Sequence, residues 1–319
     1  MHRILKTCLG AGLLALAAVA QAQSWPTKPV RLLVAFPAGA PGDVIARLLQ
    51  PQLQQALGQP VIVDNKPGAG GNIGAQEVAR ATDGHTFLIG PDTMLTINPH
   101  LYKKLAFKPT EDLLPVTYLA RFNQMLVCHP SAGVKTLDEL LAATRKQKLS
   151  YASGGPGVPG HMAMEMLLTD TKTEMAHVPY RGPAPAAQDV LGGSVPCGFL
   201  ATPVVGPFVR EGKLVALAVS GTRRTASLPN VPTVAEAGVA GYDASFFETV
   251  WAPKGTPTGV IDRLQQEIAR GLAQPDTVAK LAGLDLEVIA SKPADAARQM
   301  RADYVKWGGV TSRVKLQLD

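Results

Sequence analysis

Apolar positions along this chain alternate between two spacings. Short unbroken runs at 30–35, 61–63 and 86–89 read as buried strands, and the stretches between them repeat apolar residues every three to four positions. Val44, Ile45, Leu48, Leu49, Leu53, Ala56 and Leu57 share one helical face that ends at Gly58, and Pro51 inside it predicts a kink or break. A second helix is expected over 72–81. Strand, helix, strand, helix, strand is the order of a parallel α/β sheet, whose ligands sit beyond the strand C-termini.

After 109–122, which has no clear period and reads as a crossing segment, a second series begins. Strands are expected at 125–128, 149–152, 174–178, 195–199 and 214–219, with helices opening at Thr136 (capped, with Glu139 three residues on) and over 162–168 and 185–191. The chain then crosses back through 242–251. Ile261, Leu264, Ile268 and Leu272 mark an amphipathic helix, and Ala297, Met300, Tyr304 and Trp307 mark a last one over 293–307. The pattern predicts an α/β protein of two lobes, 23–122 with 250–319 and 123–249, each built on a mostly parallel sheet, with a hinge of two crossing segments and a central cleft. Such a body closes around a ligand.

Three of these strands run into Gly/Pro-rich loops at helix starts: 36–43, 67–72 and 153–160. The first turn of a helix leaves backbone N–H groups without intrahelical partners, and the macrodipole favours negative charge there. Loops so poor in side chains expose that backbone. The first and third are expected to face each other across the cleft.

Charge and composition narrow the classes. Arg3 and Lys6 precede an apolar run, 8–20, that ends in Ala20-Gln21-Ala22, the pattern of a secretory signal peptide cleaved after Ala22. Cleavage leaves 297 of the 319 residues and lowers the formal charge from +6 to +4. Basic residues are scattered, so nucleic acid is not a predicted partner. Cys128 and Cys197 survive cleavage, each in an apolar run, and are readable either as a disulfide or as two buried thiols. No Gly-x-Ser-x-Gly elbow, His-Glu-x-x-His helix or paired-cysteine metal motif occurs. Pro67-Gly68-Ala69-Gly70-Gly71-Asn72-Ile73-Gly74 lacks the third glycine of a dinucleotide fingerprint, because Ile73 holds its place. No cofactor, metal or catalytic residue is therefore expected.

Several segments together carry a family likeness: Trp-Pro-Thr-Lys-Pro-Val-Arg at 25–31, the loop 36–43, Asn65-Lys66-Pro67-Gly68-Ala69-Gly70-Gly71-Asn72-Ile73-Gly74, Ile97-Asn98-Pro99-His100-Leu101-Tyr102, His177-Val178-Pro179-Tyr180-Arg181-Gly182, and Leu228-Pro229-Asn230-Val231-Pro232-Thr233. In this order they resemble the Bug-type (TctC-like) periplasmic substrate-binding proteins of tripartite tricarboxylate transporters. The resemblance implies a type II-like periplasmic-binding-protein fold and a receptor that captures a small carboxylate or aromatic acid by hinge closure. It also implies delivery to integral-membrane transporter subunits or a sensor protein, and a monomer. It places the ligand against loops 36–43 and 153–161. Here Gly42 stands where the family carries Ser or Thr, Leu200-Ala201 replaces an expected Asp, and Glu248 occupies a place usually aromatic or small.

The expected ligand contacts are Phe36, Ala38, Gly39, Gly42, Asp92 and Thr93 from the first lobe, and Ser153, Gly154, Gly157, His161, Arg181, Ala201 and Thr202 from the second, with Glu248 between. Arg181 is the expected cationic partner of an anion, whereas Asp43 is expected to brace its own loop. The alternatives are a receptor of the same fold for a neutral or cationic molecule held by Glu248, and a hydrolase on this scaffold.

Overall fold

The computed structural model describes residues 25–314 and 316–318, so the segment 1–22, read above as a signal peptide, lies outside the described residues. Among the described residues eleven strands form two sheets. In the first, β1 (Val30–Val34) lies parallel to β2 (Val61–Asn65) and β3 (Thr86–Pro91), while β4 (Leu113–Phe122), β10 (Phe246–Pro253) and β11 (Glu287–Val288) complete the order β11-β4-β10-β3-β1-β2. In the second, β5 (Gln124–Cys128), β6 (Ser150–Ser153), β7 (Ala176–Pro179), β8 (Cys197–Ala201) and β9 (Val215–Val219) take the order β7-β6-β8-β5-β9.

Both sheets are mixed, because the strands that carry the chain between lobes pair antiparallel. β10 runs against β3 and β4, and β5 runs against β8 and β9. The region 109–122 is thus no loose crossing: after one helical turn, Pro109–Asp112, it is a ten-residue strand. Its burial hid the alternation, since Val116 to Ala120 are all buried. The expected lobe boundary at 249/250 falls inside β10, whose whole length pairs within the first sheet.

The main helices are α1 (Pro41–Leu57), α2 (Asn72–Ala79), α3 (Leu137–Thr144), α4 (Pro159–Thr171), α5 (Pro183–Leu191), α6 (Thr202–Arg210), α7 (Thr258–Leu272), α8 (Pro275–Gly283) and α9 (Pro293–Val314). α1 continues unbroken past Pro51, which is exposed. On the solvent side a helical carbonyl can tilt toward water, which relieves the clash a proline ring makes. Ile261, Leu264, Ile268 and Leu272 are the buried stripe of α7. The buried face of α9 is Ala296, Met300, Asp303, Trp307, Val310 and Thr311, so Ala297 and Tyr304 flank it.

Hydrogen bonds made by the two crossings hold the hinge. Asn123 joins β4 to β5, and its carbonyl accepts the Thr202 N–H at 3.1 Å and hydroxyl at 3.0 Å. On the return, Ser220 Oγ donates to the Ala244 carbonyl at 2.7 Å and accepts the Gln124 N–H at 3.0 Å. α9 reaches across both lobes: Trp307 stacks on Phe246 with centroids 5.3 Å apart, Lys306 pairs with Asp243 at 2.8 Å, and Arg313 reaches Asp170 at 3.4 Å. Cys128 and Cys197, directly opposite on β5 and β8, form a disulfide.

Candidate ligand cleft between the lobes

α1 and α4 begin on opposite sides of one narrow cavity of about 40 Å³. Each opens with a proline at its first turn and no side-chain cap, after Ala40 and Val158 respectively. Phe36, Ala40 and Pro41 line it from the first lobe, with Pro91 and Glu248, and Gly154, Val158, Pro159, Gly160, Phe199, Leu200 and Ala201 from the second. The lobes touch: a Cβ on Gly182 would lie 2.8 Å from Pro37 Cγ, and one on Gly157 would lie 3.0 Å from Asn98 Oδ1. The 67–72 loop belongs to that contact, because Gly70 faces the Pro156 carbonyl. Two larger hollows, of about 480 and 530 Å³, lie behind the hinge around Arg121 and Arg223 and beside Asp170. Neither is lined by the glycine-rich loops.

Each loop is braced by side chains that point away from the cavity. Gly39, at φ +83°, makes the turn before α1, and its N–H donates to Asp43 Oδ2 at 2.9 Å. Asp43 Oδ1 also accepts from Arg47 at 3.0 Å and Asn65 at 2.9 Å. Burial alone would raise the Asp43 pKa, but these donors outweigh it and hold it below the usual range. In the third loop the Gly157 N–H donates to His161 Nδ1 at 2.9 Å, and Ser153 Oγ bonds both Gly155 and, at 2.7 Å, His177 Nε2. The rings of His161 and His177 stack at 4.0 Å. Burial lowers their pKa values to about 3 and about 4, so both rings are neutral at physiological pH.

The expected contacts are therefore distributed unevenly. Phe36, Gly154, Ala201 and Glu248 line the cavity, and Gly42 lies in the first turn of α1 beside Glu248. Ala38 and Gly39 are exposed, while Ser153, Gly157 and His161 serve the loop's own network. Thr202 is a hinge residue, since its donors go to Asn123. Asp92 and Thr93 are fully buried and do not line the cavity; Asp92 Oδ1 accepts the Phe247 N–H at 3.1 Å. Arg181 is exposed beside Gly182 and also does not line it. Gln124, Phe122 and Phe199 were not foreseen: Phe122 closes the stretch read as a crossing segment, Gln124 lies just before the expected strand 125–128, and Phe199 ends a strand read only as core, so their shared place shows only once the two sheets meet.

Glu248 is the cavity's unusual group. It is 2% exposed, its Oε2 has no hydrogen-bond partner, and a Cβ on Gly42 would lie 2.7 Å from that atom. Burial first, then the neighbouring Asp92 carboxyl, push its pKa well above the ordinary value, and the Gly42 N–H opposes them.

A two-lobed α/β body with a hinge and an interlobe cavity is the architecture of extracytoplasmic solute receptors. The tripartite tricarboxylate transporter receptor family (TctC) matches residues 45–316, and this chain belongs to that family. It is 34% identical over 308 residues to the protein BugT of Bordetella pertussis, covering 95% of this chain and 94% of that one. The structure of Rpa4515 of R. palustris with adipate superposes with a TM-score of 0.88 at 33% identity, covering 92% of this chain and 99% of that one. MatC of Rhodopseudomonas palustris with bound malate gives 0.85 at 30% identity, with 90% and 99% covered. No helix among the described residues is long and apolar enough to cross a membrane.

Proposed function

We propose that this chain is the periplasmic receptor of a tripartite transporter, a monomer that captures a small organic anion between its lobes and hands it to integral-membrane subunits without chemical change. The observation that carries this reading is the pair of uncapped helix N-termini, α1 and α4, that open onto one cavity from opposite lobes. Adipate and malate in two relatives support the ligand class. The disulfide between Cys128 and Cys197 fits an oxidising compartment, as does the signal-like segment 1–22. The lobes move about Asn123 and the Ser220–Ala244 pair, where few bonds have to change.

A thermal-shift screen of refolded protein, stripped of carried ligand, tests this. A ligand at one hundred times its Kd adds about 2.7 kcal/mol, which in a chain of this size raises Tm by about 5 °C. Stabilisation by C4–C6 dicarboxylates or aromatic acids is expected. Stabilisation only by amines or amides, or a mass change in a bound compound, would refute the reading.

A further inference from the structure

Nearly all of the cavity surface is apolar or backbone, and among the described residues that line it Glu248 is the single titratable one; Gln124 adds an uncharged amide. A buried polar atom without a partner is costly, and most such atoms in folded proteins are paired. Glu248 Oε2 is such an atom, and it stands where α1 presents its first-turn N–H groups. Among the described residues no basic side chain lines the cavity to neutralise a carboxylate there.

The basic groups farther out, Lys306 and Arg47, are held by other carboxylates, Asp243 and Asp43. Asp92, at the end of β3, adds negative charge, and behind Asp92 lie Asp303 and Lys306 of α9 and the Tyr118 hydroxyl of β4. On α1, Asp43 and Arg47 are engaged with each other and with Asn65. In the second lobe the histidines of the facing loop, His161 and His177, are both neutral and bonded into that loop. The Gly42 N–H at the start of α1 favours the charged form, but burial and the Asp92 carboxyl outweigh it, and the balance favours the uncharged acid. A carboxylic acid kept neutral in an apolar site is a hydrogen-bond donor, and its bond to an anionic oxygen is of the strong, charge-assisted kind.

We propose that Glu248 meets the ligand as a neutral carboxylic acid and donates its O–H to a ligand carboxylate, with the apolar body of the ligand lying against Phe36, Phe122 and Phe199. This rests on the organic-anion reading above and sharpens it: the first-lobe subsite takes a carboxylate through a shared proton, without a cation. Where Glu248 of the open receptor is ionised, binding takes up one proton, and affinity falls by up to about tenfold per pH unit.

The test uses the mature protein with adipate, malate, benzoate and the diamine cadaverine as probes, in wild type, Glu248→Gln and Glu248→Ala. The amide keeps an N–H donor and cannot ionise. Calorimetry with the tightest of the three carboxylates is expected to show Glu248→Gln within about threefold of wild type and Glu248→Ala at least tenfold weaker. Infrared difference spectra of the wild-type complex should show the C=O stretch of a neutral acid, and Glu248→Gln should remove it. Three results would overturn the proposal: absence of that band, an amide variant as weak as the alanine one, or tighter carboxylate binding by more than tenfold in the amide, which would mean an ionised Glu248 repels the ligand. Cadaverine binding that needs Glu248 would overturn it too. If none of the carboxylates binds wild type, the organic-anion reading itself fails, and this proposal with it.

Discussion

Gly160 is the glycine with the least room for a side chain. It is the second residue of α4 and lines the cavity, and its backbone is not in the left-handed region, so only space demands glycine. A Cβ built there would fall well inside 3.0 Å of the Phe199 carbonyl oxygen, with Gln124 Oε1 a further 3.1 Å contact. Phe199 belongs to β8, which is hydrogen-bonded between β5 and β6, so the obstacle is fixed backbone and cannot rotate away. In Gly160→Ala, α4 must therefore back off from the sheet until the contact reaches at least 3.0 Å. Overpacking of this kind costs about 1–3 kcal/mol, which in a chain this long lowers Tm by about 2–6 °C. The same displacement draws the α4 N-terminus back from the ligand, and at least a tenfold loss of affinity is expected. Thermal melts and calorimetry on the variant read both effects. Gly309→Ala serves as the opposite control, since Gly309 lies within α9 with nothing within 4 Å of a new Cβ, and alanine there should stabilise by about 0.5–1 kcal/mol. A Gly160→Ala protein that melts within about 1 °C of wild type and binds equally well would refute the steric argument.

Three further outcomes are expected. Burial and the nearby Asp303 raise the folded-state pKa of Asp92, so its stabilising share is present below the unfolded value and is lost as pH rises through the folded one. Asp92→Asn, which keeps the acceptor for the Phe247 N–H, should raise the unfolding free energy, read by urea melts, at pH 8 but not at pH 4, by about 1.4 kcal/mol for every tenfold by which folding tightens the carboxyl's hold on its proton. His161 and His177 work in the other direction: their lowered pKa values, about 3 and about 4, give stability present above pH 6.5 and lost as pH falls toward those values, and His161→Asn, whose carbonyl can still accept the Gly157 N–H, should flatten the acid side of a Tm–pH curve. Reduction of the disulfide, or Cys128→Ser with Cys197→Ser, frees a loop of 69 residues and should cost about 4 kcal/mol, read as a lower urea midpoint under reducing conditions.

Much of the architecture is legible in the residues because glycine and proline punctuate it. Gly39 makes its left-handed turn, and Pro41 and Pro159 start helices at positions where a proline costs no hydrogen bond. β4 was not legible, since a strand buried on both faces loses the alternation by which strands are recognised. The site was only partly legible for a related reason. Arg181 has the chemistry of an anion partner but its place is set by Gly182 packing on Pro37, a contact between lobes that no local pattern encodes. Thr202 likewise has the right hydroxyl, and Asn123 claims it. Glu248 could be singled out by type alone, as a charged residue amid Phe246, Phe247, Val250 and Trp251; what it faces depended on Gly42, far away in the chain.

The place of β10 in the first sheet bears on the order in which this protein is able to fold. The second lobe's strands all lie between residues 124 and 219, so its sheet can assemble as soon as that stretch is free. The first lobe's sheet has β4 and β11 on one side and β3, β1 and β2 on the other, and β10 is the strand through which the halves pair. Until residues 246–253 arrive, the edges of β3 and β4 remain open and apolar, which is the situation in which chains aggregate. A chain threaded through a membrane N-terminus first thus emerges with the first half of one lobe waiting and the other lobe able to finish. The late strand then acts as a keystone, so that slow or interrupted delivery of the last quarter of the chain should leave a folded second lobe attached to an unpaired sheet.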